Sequence, residues 1–386
     1  MKITGVKPVL LSYEYKKDEA WGWSGGSVQV WHTALVRVFT DEGIEGLGEM
    51  GTGHYIPEGA EAICRFLEQT LLGQDPMEID VLFQKMYKLG ANWGRRGLAM
   101  GVISGIENAL WDIKGKALGV PVWNLLGGRY RKQIRAYASG GMEKPLPNLI
   151  EEIAHYLDRG FTAVKIRGGY DMRRDAAMCE GIRKELGFDF DLALDCGQGY
   201  VPFPWSARQA RQVVDALAPY KLFFVEEPCR TDDLDVYSQV TANSPLPIAG
   251  GENGCSIYEF KQLIDKRCVD IIQPDVTHAG GIGEVKRAAE YANLNGISVA
   301  PHVFRSGVSF AAHLHLLSAI PNALAFEYQQ ISNPLREELL NEKPVLKDGM
   351  LEAPCSPGLG VHIDDSIIRA FPYRPGTEQR FKVESI

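Results

Sequence analysis

The chain has 386 residues, of which 45% are hydrophobic and 23% charged, and a net charge of −8. That much apolar material supports a large core and fits two domains, since domains run to roughly 100–200 residues and barrels to about 250. The negative charge argues against nucleic acid as a partner. Seven scattered cysteines (Cys64, Cys179, Cys196, Cys229, Cys255, Cys268 and Cys355) include no CxxC pair. They argue against a disulfide framework or zinc cage and for a reducing, cytoplasmic setting.

The opening segment, MKITGVKPVLLSYEYKKDEA, becomes charged too early for a signal peptide and reads as a strand. Residues 31–40, WHTALVRVFT, have the β-branched and aromatic content of a second strand. Asp41-Glu42-Gly43 marks a turn, and IEGLGEM resumes an extended pattern, so a β-hairpin is expected. Helices are predicted over Glu61 to Leu72 and Glu78 to Leu89. A third carries Ile103, Ile106, Ala109, Leu110 and Ile113 at helical spacing and ends at Gly119-Val120-Pro121. No apolar run approaches the ~20 residues that span a bilayer, so no membrane association is expected.

From about residue 133 the rhythm changes. Eight short apolar runs (IRAYAS, TAVKIR, DFDLALD, LFFVEE, PIAGGE, VDIIQPD, ISVAPH and ALAFE) alternate with amphipathic helical segments. Each parallel pairing needs a crossover helix, so this pattern predicts a parallel barrel. The tail after Glu327 contains NPLREELL and PGLG and is expected to pack back on the N-terminal part.

The ends of these runs carry the chemistry. Run two ends in Lys165-Ile166-Arg167, and the next six end in Asp195, Glu226, Glu252, Asp275, His302 and Glu327, roughly 23–31 residues apart. That spacing puts each residue at the C-terminal rim of a successive strand, where barrel enzymes place reactive groups. Lys165 and Arg167, two apart on a strand, face the same way. Three carboxylates on adjacent strands, Asp195, Glu226 and Glu252, would repel one another unless a cation lay between them. An oxygen-only set favours Mg²⁺ or Mn²⁺ over zinc. Such a site would acidify a proton next to a substrate carboxylate and stabilise the resulting enediolate. His302 suits the role of base, and Asp275 could fix its tautomer. Glu327 either donates a hydrogen bond, if protonated, or serves as a structural partner. Taken singly, each of these residues could be an ordinary ion-pair partner or structural histidine. The series is what favours a site.

The motifs KIRGG, LALDCGQG, FVEEP, AGGEN, IIQPD, APH and FE, with the helix IENALWDIKGKALGVPVWNLLGG, resemble the enolase superfamily in its mandelate racemase-like branch. The resemblance runs over nearly the whole chain. It implies an α/β fold: a modified (β/α)₈ barrel of TIM-like (β/α)₇β form with an α+β capping domain. The cap would span residues 1–130, the barrel 131–330, and a segment 331–386 would return to the cap. The resemblance also implies a Mg²⁺ on Asp195, Glu226 and Glu252, the His302–Asp275 dyad as base, and Glu327 as an electrophilic or hydrogen-bonding group. Cap loops 21–24 and 52–55 become candidate substrate contacts through Trp21, Trp23, His54 and Tyr55, although each could equally be cap packing. A homo-oligomer is the expected state.

Two positions depart from the family pattern. Arg167 stands where a second lysine often acts as base, and Gly197 where asparagine is common. A guanidinium can hardly accept a proton at neutral pH, so one face of the α-carbon is weakened for acid–base work. That favours dehydration of a sugar acid over racemisation, because a single His302 can remove the α-proton and then protonate the departing β-hydroxyl. A sugar-lactone cycloisomerase is the alternative, a racemase or epimerase ranks third, and a non-catalytic metal-binding barrel is the reading from another class.

Overall fold

The computed structural model describes residues 1–16, 19–23, 26–376 and 379–381. Five strands open the chain: β1 (Ile3–Glu14), β2 (Trp21–Trp23), β3 (Gly26–Val28), β4 (Val30–Thr40) and β5 (Glu45–Glu49). The β-branched residues of β1 and β4 pair antiparallel from Ile3↔Thr40 to Glu14↔Val30. Thr40 Oγ1 closes the 40–44 turn by donating to the Ile44 carbonyl and accepting from its N–H. The chain thereby returns as β5 against β4, the hairpin expected from Asp41-Glu42-Gly43.

Three helices follow: α1 (Pro57–Leu71) and α3 (Gly97–Leu118) pack on this sheet, and α2 (Ile79–Leu89) packs against both of them. Helix α3 ends at Gly119, whose φ of 69° is the left-handed geometry that glycine adopts without a Cβ clash. β5 lies flush on α3. A Cβ at Gly46 or Gly48 would collide with the carbonyls of Ala109 and Gly105, so bare backbone is required there.

The eight apolar runs form eight parallel strands: β6 (Gln133–Ser139), β7 (Ala163–Arg167), β8 (Asp191–Asp195), β9 (Val225–Glu226), β10 (Ile248–Gly250), β11 (Ile271–Ile272), β12 (Ser298–Val299) and β13 (Phe326–Gln329). From β6 to β12 each pairs with the next in sequence, and β13 pairs with β6 on the other side. The Val299↔Ala323 bridge joins the two ends of the sheet and curls it into a ring. Its floor is small and apolar. Ala163, Ala193, Ala249, Ala300 and Ala325 leave room for Tyr137 and Phe224, which meet edge to face at 5.8 Å. The helices bury the outer face in a second, larger core.

Polar groups on α3 dock the cap onto the barrel. Asn108 donates to the Val276 carbonyl (2.9 Å) and accepts from the Ile282 N–H (3.0 Å), Ser104 accepts from Gly280 (2.8 Å) and Glu107 from Gly283 (2.9 Å). Each satisfies a buried group that would otherwise cost roughly 1–3 kcal/mol. Together they hold the loop that follows Asp275. In the tail, β14 (Met350–Glu352) pairs antiparallel with β6, while Leu11 bridges Pro372 and β15 (Gln379–Phe381) pairs with β3. All seven cysteines are free, and all but Cys355 are buried. Among the described residues no helix is long and apolar enough to cross a membrane.

Candidate active site

Register brings the rim residues together. Arg167 lies opposite Asp195 across β7 and β8, and Asp195 opposite Glu226 across β8 and β9. Two residues lower on β7, Lys165 is fully buried just above the alanine floor. Its Nζ donates to Glu226 Oε1 (2.9 Å) and Oε2 (2.8 Å) and lies 2.8 Å from Glu327 Oε1. Burial opposes the charge on Lys165, but Glu226 and Glu327 outweigh it and raise its pKa above the ordinary lysine value. Gln273 Nε2 donates to the same Glu226 (2.6 Å).

Glu327 accepts from Ser139 Oγ (2.6 Å) and from the Val303 N–H (2.7 Å). Burial would raise its pKa, yet Lys165, His302 and Arg167 hold it well below the usual carboxylate range. In this arrangement Glu327 is an acceptor rather than the protonated donor considered from the sequence. Arg167 pairs directly with Asp195, lies 5.5 Å above the Phe304 ring and has Nη2 4.0 Å from Glu327.

The His302–Asp275 pair is formed. Nδ1 meets Asp275 Oδ2 at 3.0 Å, while Oδ1 accepts from the Thr277 N–H and hydroxyl, each at 2.7 Å. Both oxygens of this buried carboxylate are therefore fixed. Burial works against a charged imidazole, but Glu252, Asp275 and Glu327 outweigh it and raise the His302 pKa above its ordinary value. Nε2 is left facing the cavity, 4.0 Å from Glu252 Oε2. The cap reaches this pair through Gly51, whose N–H donates to the Thr277 carbonyl (3.0 Å) and whose missing side chain leaves room for Thr277.

One cavity is lined by Arg167, Asp195, Glu252 and His302 from the barrel and by Trp21, Trp31, His54 and Tyr55 from the cap. Trp21 packs edge-on against Phe304 (5.8 Å), the ring that also stacks on His302 (6.2 Å). The side chain of Trp23, and the whole of Ser24, lie outside the described residues. His54 presents its ring to the cavity, but both nitrogens are engaged: Nδ1 on the Gly51 carbonyl (2.8 Å) and Nε2 on Arg305 (3.3 Å). Gly197 has a physical account here. Its backbone is left-handed (φ 54°), a region glycine and asparagine tolerate, and its N–H donates to Asp195 Oδ1 (2.8 Å).

By chemistry the three carboxylates fit a hard divalent cation: all-oxygen donors from three neighbouring strand ends, two of them facing the cavity. Their side chains are otherwise engaged, Asp195 by Arg167, Glu226 by Lys165 and Glu252 by the Tyr200 hydroxyl. Among the described residues no three acid, histidine or cysteine side chains gather into a metal-sized cluster. A cation bound there would compete with Arg167 for Asp195 and with the Tyr200 hydroxyl for Glu252.

Sequence reasoning missed several contributors. Arg305 lies three residues past His302 in APHVFRSG, beyond the strand end that marks the rim positions. Glu49, at the end of β5, accepts from Ser306 Oγ (2.6 Å) and from the Ser309 N–H (3.2 Å), and so anchors the loop bearing His302 to the cap. Tyr200 and Gln273 were visible only as motif neighbours of Asp195 and Asp275.

A parallel barrel with a histidine–aspartate pair, buried cations and carboxylates on its C-terminal rim, closed over by a second unit, has the architecture of a barrel enzyme. Residues 148–367 match the enolase C-terminal domain-like family, and residues 16–127 match the N-terminal domain of the mandelate racemase / muconate lactonizing enzyme family. The chain belongs to that family. It is 32% identical to the D-galactarolactone cycloisomerase of Agrobacterium fabrum over 96% of this chain and 99% of the relative. It is 33% identical to the arabinonate dehydratase of Saccharolobus solfataricus over the same shares. The crystal structure of the 3,6-anhydro-D-galactonate cycloisomerase from Zobellia galactanivorans superposes with a TM-score of 0.86 at 32% identity, covering 96% and 99% of the two chains.

Proposed function

We propose that this chain dehydrates a sugar acid: it removes the proton α to a carboxylate and expels the β-hydroxyl, giving a 2-keto-3-deoxy acid. The observation that carries this reading is the His302–Asp275 pair, with Nε2 turned into a cavity that also holds Asp195, Glu252 and Arg167. Asp195, Glu226 and Glu252 would hold a Mg²⁺, which when bound supplies positive charge to the substrate carboxylate and acidifies the neighbouring proton.

His302 accepts that proton at Nε2. Asp275 keeps Nδ1 protonated and supports the imidazolium that forms. As imidazolium, His302 then returns the proton to the departing β-hydroxyl. Lys165 contributes fixed positive charge beneath the carboxylates, and Arg167 orients an oxygen of the substrate. A guanidinium stays protonated at working pH, so the chemistry runs from the His302 face alone. Trp21, Tyr55 and the other cap aromatics wall the cavity and exclude water.

The relatives' names favour one further reading, a lactone cycloisomerase, in which the leaving group is a ring ester oxygen instead of a hydroxyl. The deciding experiment screens sugar acids and lactones for 2-keto product, with and without Mg²⁺. Keto acid formed from an open-chain acid supports dehydration, and turnover confined to lactones moves the assignment to the isomerase.

A further inference from the structure

Arg305 is placed differently from the other cations around the site. Lys165 rests between Glu226 and Glu327, and Arg167 pairs with Asp195. Arg305 lines the same cavity, yet among the described residues no Asp or Glu lies within ion-pairing distance of it. It makes two long hydrogen bonds, both from Nη1, to His54 Nε2 (3.3 Å) and to the Phe304 carbonyl (3.4 Å). Nη2 makes none, and Nε is buried without a partner.

The nearby acids are engaged elsewhere: Glu49 by Ser306 and Ser309, Asp275 by Thr277 and His302, Glu252 by Tyr200. The half-buried guanidinium thus hydrogen-bonds only to neutral acceptors, and the buried Glu49 and Asp275 act on it through space without pairing with it, which leaves donors open for a charge-assisted pair. It is also held in place. His54 is locked as the Nδ1–H tautomer by the Gly51 carbonyl and stacks on Trp31 at 5.0 Å, so its Nε2 lone pair faces the guanidinium. The next residue, Ser306, is tied to Glu49.

We infer that Arg305 receives a second carboxylate, at the end of the substrate remote from the reacting carbon, so that the preferred substrate is a sugar diacid or its monolactone rather than a monoacid. This rests on the sugar-acid reading and narrows it. The carboxylate engages the donors that Arg305 does not spend on His54 and Phe304, while the first carboxylate lies at the Asp195–Glu252 end. A hydroxyl in the same place would leave the charge unmatched, whereas a charge-assisted pair to a planar carboxylate satisfies both charge and geometry.

The test measures binding, so it does not depend on turnover. Hexarates and the hexonates of matching configuration are titrated calorimetrically into the full-length, Mg²⁺-loaded His302→Asn protein, with and without Arg305→Met or Arg305→Lys. The account expects hexarates to bind at least tenfold more tightly than hexonates. Arg305→Met should erase that preference by weakening hexarates on the order of 10–100-fold, as loss of a charged hydrogen bond implies, with hexonates changed less than threefold. Arg305→Lys should retain part of the preference. Equal affinity for the two series, loss of both alike in Arg305→Met with the fold intact by circular dichroism, or tighter binding of a 6-phosphohexonate than of the hexarate would overturn it. A diacid preference that persists while no sugar acid is turned over would reject the dehydratase reading and leave the Arg305 assignment standing.

Discussion

Asp275→Asn is isosteric, yet it should disable the base. Asp275 Oδ1 accepts the Thr277 backbone N–H at 2.7 Å, and a backbone N–H can only donate. An asparagine must therefore turn its oxygen toward Thr277, which puts its NH₂ against His302 Nδ1. The imidazole then carries its proton on Nε2, the nitrogen facing the cavity, and has no lone pair there to accept the α-proton. The loss is that of general base catalysis, about 10²–10⁴ in kcat, or about 3–5 kcal/mol at 1.36 kcal/mol per decade. Binding groups are untouched, so KM should stay within about threefold. Steady-state assay of keto-acid formation at saturating Mg²⁺ measures both. A variant whose kcat falls less than threefold would refute the tautomer argument.

Three further outcomes are expected. Mg²⁺ should raise the melting temperature of the protein and EDTA should abolish turnover, with Asp195→Asn losing both responses; an unchanged response in Asp195→Asn would remove that residue from the metal site. Lys165→Met leaves Glu226 and Glu327 buried without their cation, so urea unfolding of the metal-free protein should show a loss of roughly 3–5 kcal/mol, partly recovered by adding Glu327→Gln; undiminished stability would mean that the buried ion pairs contribute nothing. Substrate recovered from partial reaction in D₂O should show no inversion at the α-carbon, and Arg167→Lys should keep substantial binding; efficient inversion by the unmodified enzyme would show that a second base works on the opposite face.

The barrel was legible in the sequence because two local signals coincide at each strand: a short apolar run and a polar residue at its end, repeated from Lys165 to Glu327. The cap hairpin and α3 were legible for similar reasons, through Asp41-Glu42-Gly43 and Gly119. What escaped reading depends on contacts between distant segments. Arg305 meets His54 across 251 residues, and Glu49 meets Ser306 across 257. Nothing in the local pattern of a lone arginine or glutamate announces such a partner. His54 was legible as a cavity residue, but that both its nitrogens are spent inside the protein follows only from the Gly51 turn and from Arg305. Charge decides Glu327: a strand-end glutamate can donate or accept, and Lys165 Nζ 2.8 Å away makes it an acceptor, a contact that no local pattern signals.

Exchange of the substrate α-proton with solvent, followed by NMR in D₂O with Mg²⁺ present, tests the central claim most directly because it reports proton abstraction whether or not a leaving group departs. The account predicts that, on a sugar acid the enzyme binds, the unmodified protein incorporates deuterium at the α-carbon or in the derived product, and that His302→Asn, folded and Mg²⁺-loaded, slows this by at least two orders of magnitude. Exchange by His302→Asn at the rate of the unmodified protein would contradict it and place the base elsewhere.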